Sequence, residues 1–225
     1  MGLRRSAIIL LSALLTSAAV AQDRPTITAA LQTLAVKAQY HPVAKWRAAL
    51  AGIQTDRLRV ERCLAERPCR DILAKPMADL VKRLSSLKGT ARLMAVNRHF
   101  NSFPYAADRI SGGVTDRWAS PLAFLQRSGD CEDFAIAKFL TLRLLGVPET
   151  AMAMLVLRDP QRGIDHAVLL VEERGRWLVL DNLRELAPLE EYRNYRPLLA
   201  LTTAFSLRLE TARPVLAQPV PSAAE

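Results

Sequence analysis

The chain has 225 residues, 50% of them hydrophobic and 24% charged, which is enough for one ordinary core and too apolar for a disordered protein. Its 9 Gly and 13 Pro exclude a low-complexity chain, and no stretch approaches the ~20 consecutive apolar residues that span a bilayer. The formal net charge of +9 is concentrated in 43–98, where 13 Lys and Arg face 5 Asp and Glu.

At the N-terminus, Arg4 and Arg5 precede an apolar run from Ala7 to Leu15, and Ala19-Val20-Ala21 has the small-x-small form of a signal peptidase site. Residues 1–21 are therefore read as a cleaved signal peptide and the mature chain as periplasmic. Ser12, Thr16 and Ser17 interrupt the run, which makes a poor anchor helix, and no cysteine follows the site to take a lipid. Cleavage removes two arginines and lowers the net charge to +7. Nucleic acid is not the expected partner of an exported basic face, which is read as a solvated helical surface, with an acidic protein or an anionic membrane as the other readings.

Residues 22 to about 42 show little periodicity and form a loosely held arm ending at His41-Pro42. From Val43 to Ile53, Trp46, Leu50 and Ile53 share a helical face, and helix resumes from Asp56 to about Leu87 with breaks near Pro68 and Pro76. Residues 22–87 are thus an N-terminal arm and helical segment preceding a core at 88–210. A helix from about Thr90 to Phe100 turns Leu93, Val96 and Phe100 inward, and 101–118, with Pro104 and Gly112-Gly113, is a loop. Ser128-Gly129-Asp130 opens the clearest helix, with Asp130 as N-cap, Asp133 at its third position and an apolar stripe from Ala135 to Leu144, ending at Gly146. The period then changes to strand at Met154–Leu157, His166–Glu172 and Arg176–Asp181, with a tight turn at Glu173-Arg174-Gly175. A last strand is expected over Leu199–Leu209, and 211–225, rich in Pro and Ala, is read as a disordered tail.

Three cysteines in an oxidising compartment leave one over. Cys63 and Cys69 are close enough to close a small loop around Pro68, so Cys131 is the candidate free thiol. It stands in the first turn of the clearest helix, where unpaired backbone N–H groups and the positive dipole end favour a thiolate. A two-residue turn at Glu173-Arg174 sets His166 opposite Asp181. A turn at Arg174-Gly175 makes Asp181 its diagonal neighbour. Either register puts imidazole and carboxylate on one face, whereas a three-residue loop separates them. A histidine opening a strand is commonly structural; here the thiol and the carboxylate favour a catalytic role.

The run Ser128-Gly129-Asp130-Cys131-Glu132-Asp133-Phe134-Ala135-Ile136-Ala137-Lys138, followed by His166-Ala167-Val168-Leu169 and Leu180-Asp181-Asn182, resembles the bacterial transglutaminase-like cysteine peptidases, the LapG-type periplasmic proteases. The resemblance runs from about Lys88 through Asp181, and Trp118-Ala119-Ser120-Pro121 matches the approach to the nucleophile. It implies an α+β fold: a papain-like, transglutaminase-like core with the nucleophile helix packed on an antiparallel sheet, preceded by the N-terminal helical segment. It also implies a Cys131-His166-Asp181 triad, with the Cys131 N–H as an oxyanion donor.

Three carboxylates, Asp130, Glu132 and Asp133, crowd the thiol and work against its ionisation. Acidic residues favour a first helical turn in any case, but the resemblance implies Ca²⁺ held by Asp130 and Glu132. It further implies a large surface adhesin as the substrate, cut near its N-terminus in biofilm control under an inner-membrane cyclic di-GMP receptor. Two other functions are open to the same residues, acyl transfer to an amine in the manner of a transglutaminase and a secreted binding module with a vestigial triad.

Overall fold

The computed structural model describes residues 36–107 and 117–211. The expected signal peptide at 1–21, most of the expected arm, the middle of the 101–118 loop and the expected tail from 212 onward lie outside the described residues. The helices are α1 (Ala44–Ala65), α2 (Lys75–Leu84), α3 (Gly89–Asn101), α4 (Pro121–Arg127) and α5 (Cys131–Leu144). The strands are β1 (Val36–Tyr40), β2 (Met152–Asp159), β3 (Ile164–Glu173), β4 (Arg176–Leu180), β5 (Ala187–Pro188), β6 (Arg196–Leu201) and β7 (Ser206–Thr211). Among the described residues no helix is long and apolar enough to cross a membrane.

The strands form one antiparallel sheet in the order β1-β7-β6-β2-β3-β4-β5. Helix α5 lies against β3. Phe134, Phe139 and Leu140 share a buried cluster with Leu169 and Val171 of β3, Met152 and Met154 of β2, and Trp46, Ile53 and Met77 of the preceding helices. A second cluster, centred on Leu155, Leu157, Val168, Leu170 and Val179, fills the opposite face of the sheet. Both faces of β2 and β3 are therefore covered, which is why these strands read as continuous apolar runs.

Several expectations change in the structure. Helix α1 runs unbroken through 54–56, because Asp56 is buried and its carboxylate accepts the Leu122 N–H at 2.8 Å, capping α4. The break expected near Pro68 and Pro76 is the gap between α1 and α2, and Pro76 itself occupies the first turn of α2, where its missing N–H is not needed. The strand expected over 199–209 is two strands, β6 and β7, joined by a turn in which Thr202 Oγ1 accepts the N–H groups of Ala204 and Phe205. The end of the expected loose arm is a strand, β1, paired with β7 from Val36↔Thr211 to Tyr40↔Leu207. Helix α4 was not anticipated.

Candidate active site

Helix α5 ends as its sequence dictates. Gly146 adopts φ +87°, its N–H reaches Arg143 O, and the Val147 N–H reaches Leu142 O, a Schellman closure. Its beginning has Asp130 at the N-cap and Asp133 at the third helical position, as expected, but without the expected side-chain capping bond from Asp130 to the helix. Asp133, buried, turns outward from its own backbone, and its Oδ1 accepts the Ala119 N–H at 2.6 Å. The segment before α4 is thereby pinned to the first turn of α5.

That tie explains Gly129. A Cβ at this position would overlap Asp133 Oδ2 and stand 2.6 Å from Asp133 Cβ. The preceding Ser128 already sits at φ +59°, a strained region for a non-glycine residue. Gly129→Ala is therefore expected to lower stability by about 1–3 kcal/mol, the usual range for overpacking. Chemical denaturation of the purified variant measures this, and an unchanged midpoint would show that Asp133 can move aside freely.

The hairpin takes the Arg174-Gly175 register. Both residues have positive φ, 55° and 80°, so Glu173 faces Arg176 and Leu169 faces Leu180. Asp181 follows β4 directly, diagonal to His166, and the two meet: His166 Nε2 lies 2.8 Å from Asp181 Oδ1, with both side chains buried. Burial alone works against the carboxylate. Hydrogen bonding and charge from His166, the Leu183 N–H and the Tyr192 hydroxyl outweigh it and hold Asp181 below the ordinary carboxylate range. Tyr192 donates to Asp181 Oδ2 at 2.7 Å. With Nε2 turned to Asp181, Nδ1 is the imidazole nitrogen left to meet a thiol.

Cys131 is the free cysteine, and Cys63 and Cys69 form a disulfide, as their spacing suggests. The thiol donates to Glu132 Oε2 at 3.2 Å and also receives the backbone N–H of Ala167, the residue after His166. It is thus held at the start of β3, yet among the described residues it makes no hydrogen bond to His166. Burial first, then the Glu132 charge, push the thiol far above its ordinary range. The expected thiolate stabilisation by the helix terminus is outweighed here. The same negative field reaches Tyr105, whose hydroxyl is pushed up to about 12 by partial burial and then by Cys131, Asp130, Glu132 and Asp133.

A buried lysine lies two turns along α5 from the thiol. Lys138 is fully buried, and its Nζ donates to Asn97 Oδ1 and Asn101 Oδ1 of α3, each at 2.8 Å. The amide groups donate in turn to the loop after β4: Asn101 Nδ2 to Asp181 O at 2.8 Å and Asn97 Nδ2 to Arg184 O at 3.0 Å. Sequence reading singled out none of Tyr192, Asn97, Asn101 or Lys138 for a role. The available signals were the i, i+4 asparagines on α3 and a lysine set among the buried apolar residues of α5.

Burial lowers the Lys138 pKa from its ordinary 10.5 to about 7, with the Asp181 charge acting in the opposite direction. Between those values the unfolded chain binds more protons than the folded one, so this group makes the fold more stable as pH rises. The expected result is a melting temperature that climbs from pH 7 to 8.5, with a flatter slope in Lys138→Met. Calorimetry tests the sign as the difference between the two slopes, because ionisation of Cys131 in the unfolded chain, which acts in the opposite direction above about pH 8, is common to both proteins. Equal slopes in the two proteins would show that Lys138 is not the group responsible.

The donor set for a metal is small. Among the described residues no three His, Cys, Asp or Glu side chains gather in a metal-holding arrangement. Asp130 and Glu132 are nonetheless hard oxygen donors on one turn, suited in kind to Ca²⁺ if backbone carbonyls and water complete the shell. The concentration of negative charge that raises both Cys131 and Tyr105 is what a dication relieves.

Comparisons with known proteins bear on the fold and the family. Calcium-bound LapG of Legionella pneumophila has a similar fold, with TM-score 0.55 and 24% identity over 74% of this chain and 93% of that one. A second LapG structure from the same organism gives TM-score 0.54 at 26% identity over 70% and 87%, and an EGTA-treated one gives 0.55 at 26% over 72% and 88%. Among curated proteins no match is found. The family described as bacterial transglutaminase-like cysteine proteinase matches residues 69–200, more than half of the sequence. The α+β fold, with helix α5 on an antiparallel sheet, is the one expected of that family, and the chain belongs to it as a cysteine peptidase.

Proposed function

We propose that the protein is a periplasmic cysteine endopeptidase in which Cys131 is the nucleophile, His166 the general base and acid, and Asp181 the orienting carboxylate. The observation that carries the reading is the buried 2.8 Å pairing of His166 Nε2 with Asp181 Oδ1, next to the strand position where the one free thiol is held. Nδ1 of His166 accepts the thiol proton, and the sulfur attacks the peptide carbonyl carbon. The Cys131 N–H, at the helix start, receives the oxyanion. Collapse breaks the C–N bond, His166 returns its proton to the leaving amine, and water attacks the thioester to release the new C-terminus.

Glu132 accepts the thiol hydrogen in the present geometry. Asp130 and Glu132 are the residues that would hold Ca²⁺, which would supply charge neutralisation beside the thiol. The similarity to LapG supports a protein substrate, and the proposed one is a large surface adhesin cut near its N-terminus in biofilm control. An inner-membrane cyclic di-GMP receptor is the proposed regulator, and the leader at 1–21 supports the periplasmic location.

One experiment addresses both the reaction and its acceptor. Mature protein and Cys131→Ala are incubated with envelope proteins in H₂¹⁸O containing a biotinylated amine, and new termini are sequenced by mass spectrometry. Heavy oxygen at new C-termini with wild type alone is the expected result. Incorporated amine instead identifies an acyl transferase, and neither label with any envelope protein overturns the peptidase reading.

A further inference from the structure

Resting on the triad reading above, we propose that Lys138 is a positioning residue, which with Asn97 and Asn101 clamps the loop carrying Asp181 to the nucleophile helix. Protonated lysine has only donors, so the two asparagines present Oδ1 to it, and their Nδ2 groups then face outward. Those groups meet the carbonyls of Asp181 and Arg184, with Asn101 also 3.2 Å from Arg184 O. Protonated or neutral, the amine has the two N–H groups that two amides require, so the clamp does not depend on its charge.

The consequence is geometric. Asp181 Oδ1 must serve His166 and the Leu183 N–H at once, and its other oxygen serves Tyr192. The carboxylate direction is therefore set by the backbone of 181–184, and that backbone is held by α3 through the two amides. Lys138 joins this assembly to α5, the helix that begins at Cys131. One buried side chain thus links the element carrying the nucleophile to the loop carrying the orienter, without touching substrate or the reacting atoms. A lysine used only for packing would not need to be fully buried against two acceptors, since its charge is costly there.

The test uses the full mature chain, Lys138→Met and Asn101→Ala, with His166→Ala as reference. Asn101 is partly exposed at the end of α3, so its variant remains folded should Lys138→Met fail to fold. Long-range ¹H–¹⁵N spectra report the His166 tautomer, and iodoacetamide at fixed pH, with Ca²⁺ in excess throughout, reports Cys131 reactivity. The expected result is a single Nε2–H tautomer in wild type and mixed tautomers in both clamp variants, with alkylation slowed about tenfold, within the range a small misplacement costs. Wild-type tautomer and alkylation rate in a folded clamp variant overturn the inference and leave the triad intact. If wild type alkylates no faster than His166→Ala, the base assignment itself fails, and the clamp with it.

Discussion

Cys131→Ala abolishes peptide cleavage and His166→Ala lowers kcat/KM by about 10³-fold or more; these are the expected results for a nucleophile and its general base. The second substitution should also cost stability. His166 and Asp181 are both buried, and truncating the imidazole leaves the carboxylate with only Tyr192 and the Leu183 N–H. Loss of one partner of such a bond costs about 1–3 kcal/mol. Asp181→Asn keeps the side-chain volume and removes the charge that holds the imidazole, so about 10²- to 10⁴-fold is expected with less loss of stability. Steady-state kinetics on a cleaved envelope substrate, with thermal unfolding of each variant, separate the two effects. A folded His166→Ala enzyme with full activity would sink the mechanism.

The parts of the site that were legible in the sequence are those fixed by short-range chemistry. Gly146 can adopt positive φ where α5 must end, and Arg174-Gly175 can adopt the turn that brings β3 and β4 together. Once that turn is set, strand alternation places Asp181 on the same side as His166 with no further information. The Cys63–Cys69 pair is likewise a local matter of loop closure at the end of α1. In each case the residues that decide the structure lie within about one turn or one hairpin of it.

What was not legible depends on partners far along the chain. Val36–Tyr40 has no strong strand pattern of its own and becomes a strand because β7, some 170 residues later, offers it an open edge. Asp133 looks like a helix-start residue until Ala119 is brought beside it, and Asp56 looks like a helix boundary until α4 needs a cap. The Lys138 cluster joins α3, α5 and the loop after β4, three segments whose mutual approach is a product of the whole fold. A buried polar network of this kind leaves only a negative trace in sequence, a charge where the hydrophobic stripe should continue.

Removal of calcium is expected to bring activity down nearly as far as loss of His166, because the thiol would keep its hydrogen bond to Glu132. The structure states the difficulty: burial and the Glu132 carboxylate both oppose ionisation of Cys131, and among the described residues the only hydrogen-bonding help comes from the Ala167 N–H. EGTA should therefore suppress cleavage, added Ca²⁺ should restore it, and excess Ca²⁺ should raise the melting temperature of the protein without substrate by ordinary linkage, about 2.7 kcal/mol at a hundredfold excess over Kd. Mg²⁺ should substitute poorly, since it demands near-ideal octahedral geometry and gives up its water reluctantly. Glu132→Gln separates the two roles of that carboxylate. It removes the negative charge beside the thiol while weakening the metal site, so alkylation of Cys131 should become faster in the absence of calcium and insensitive to its addition. Full activity in EGTA, with no calcium-dependent thermal shift, would assign Asp130 and Glu132 to the helix terminus alone and leave Cys131 to be activated by His166 without assistance.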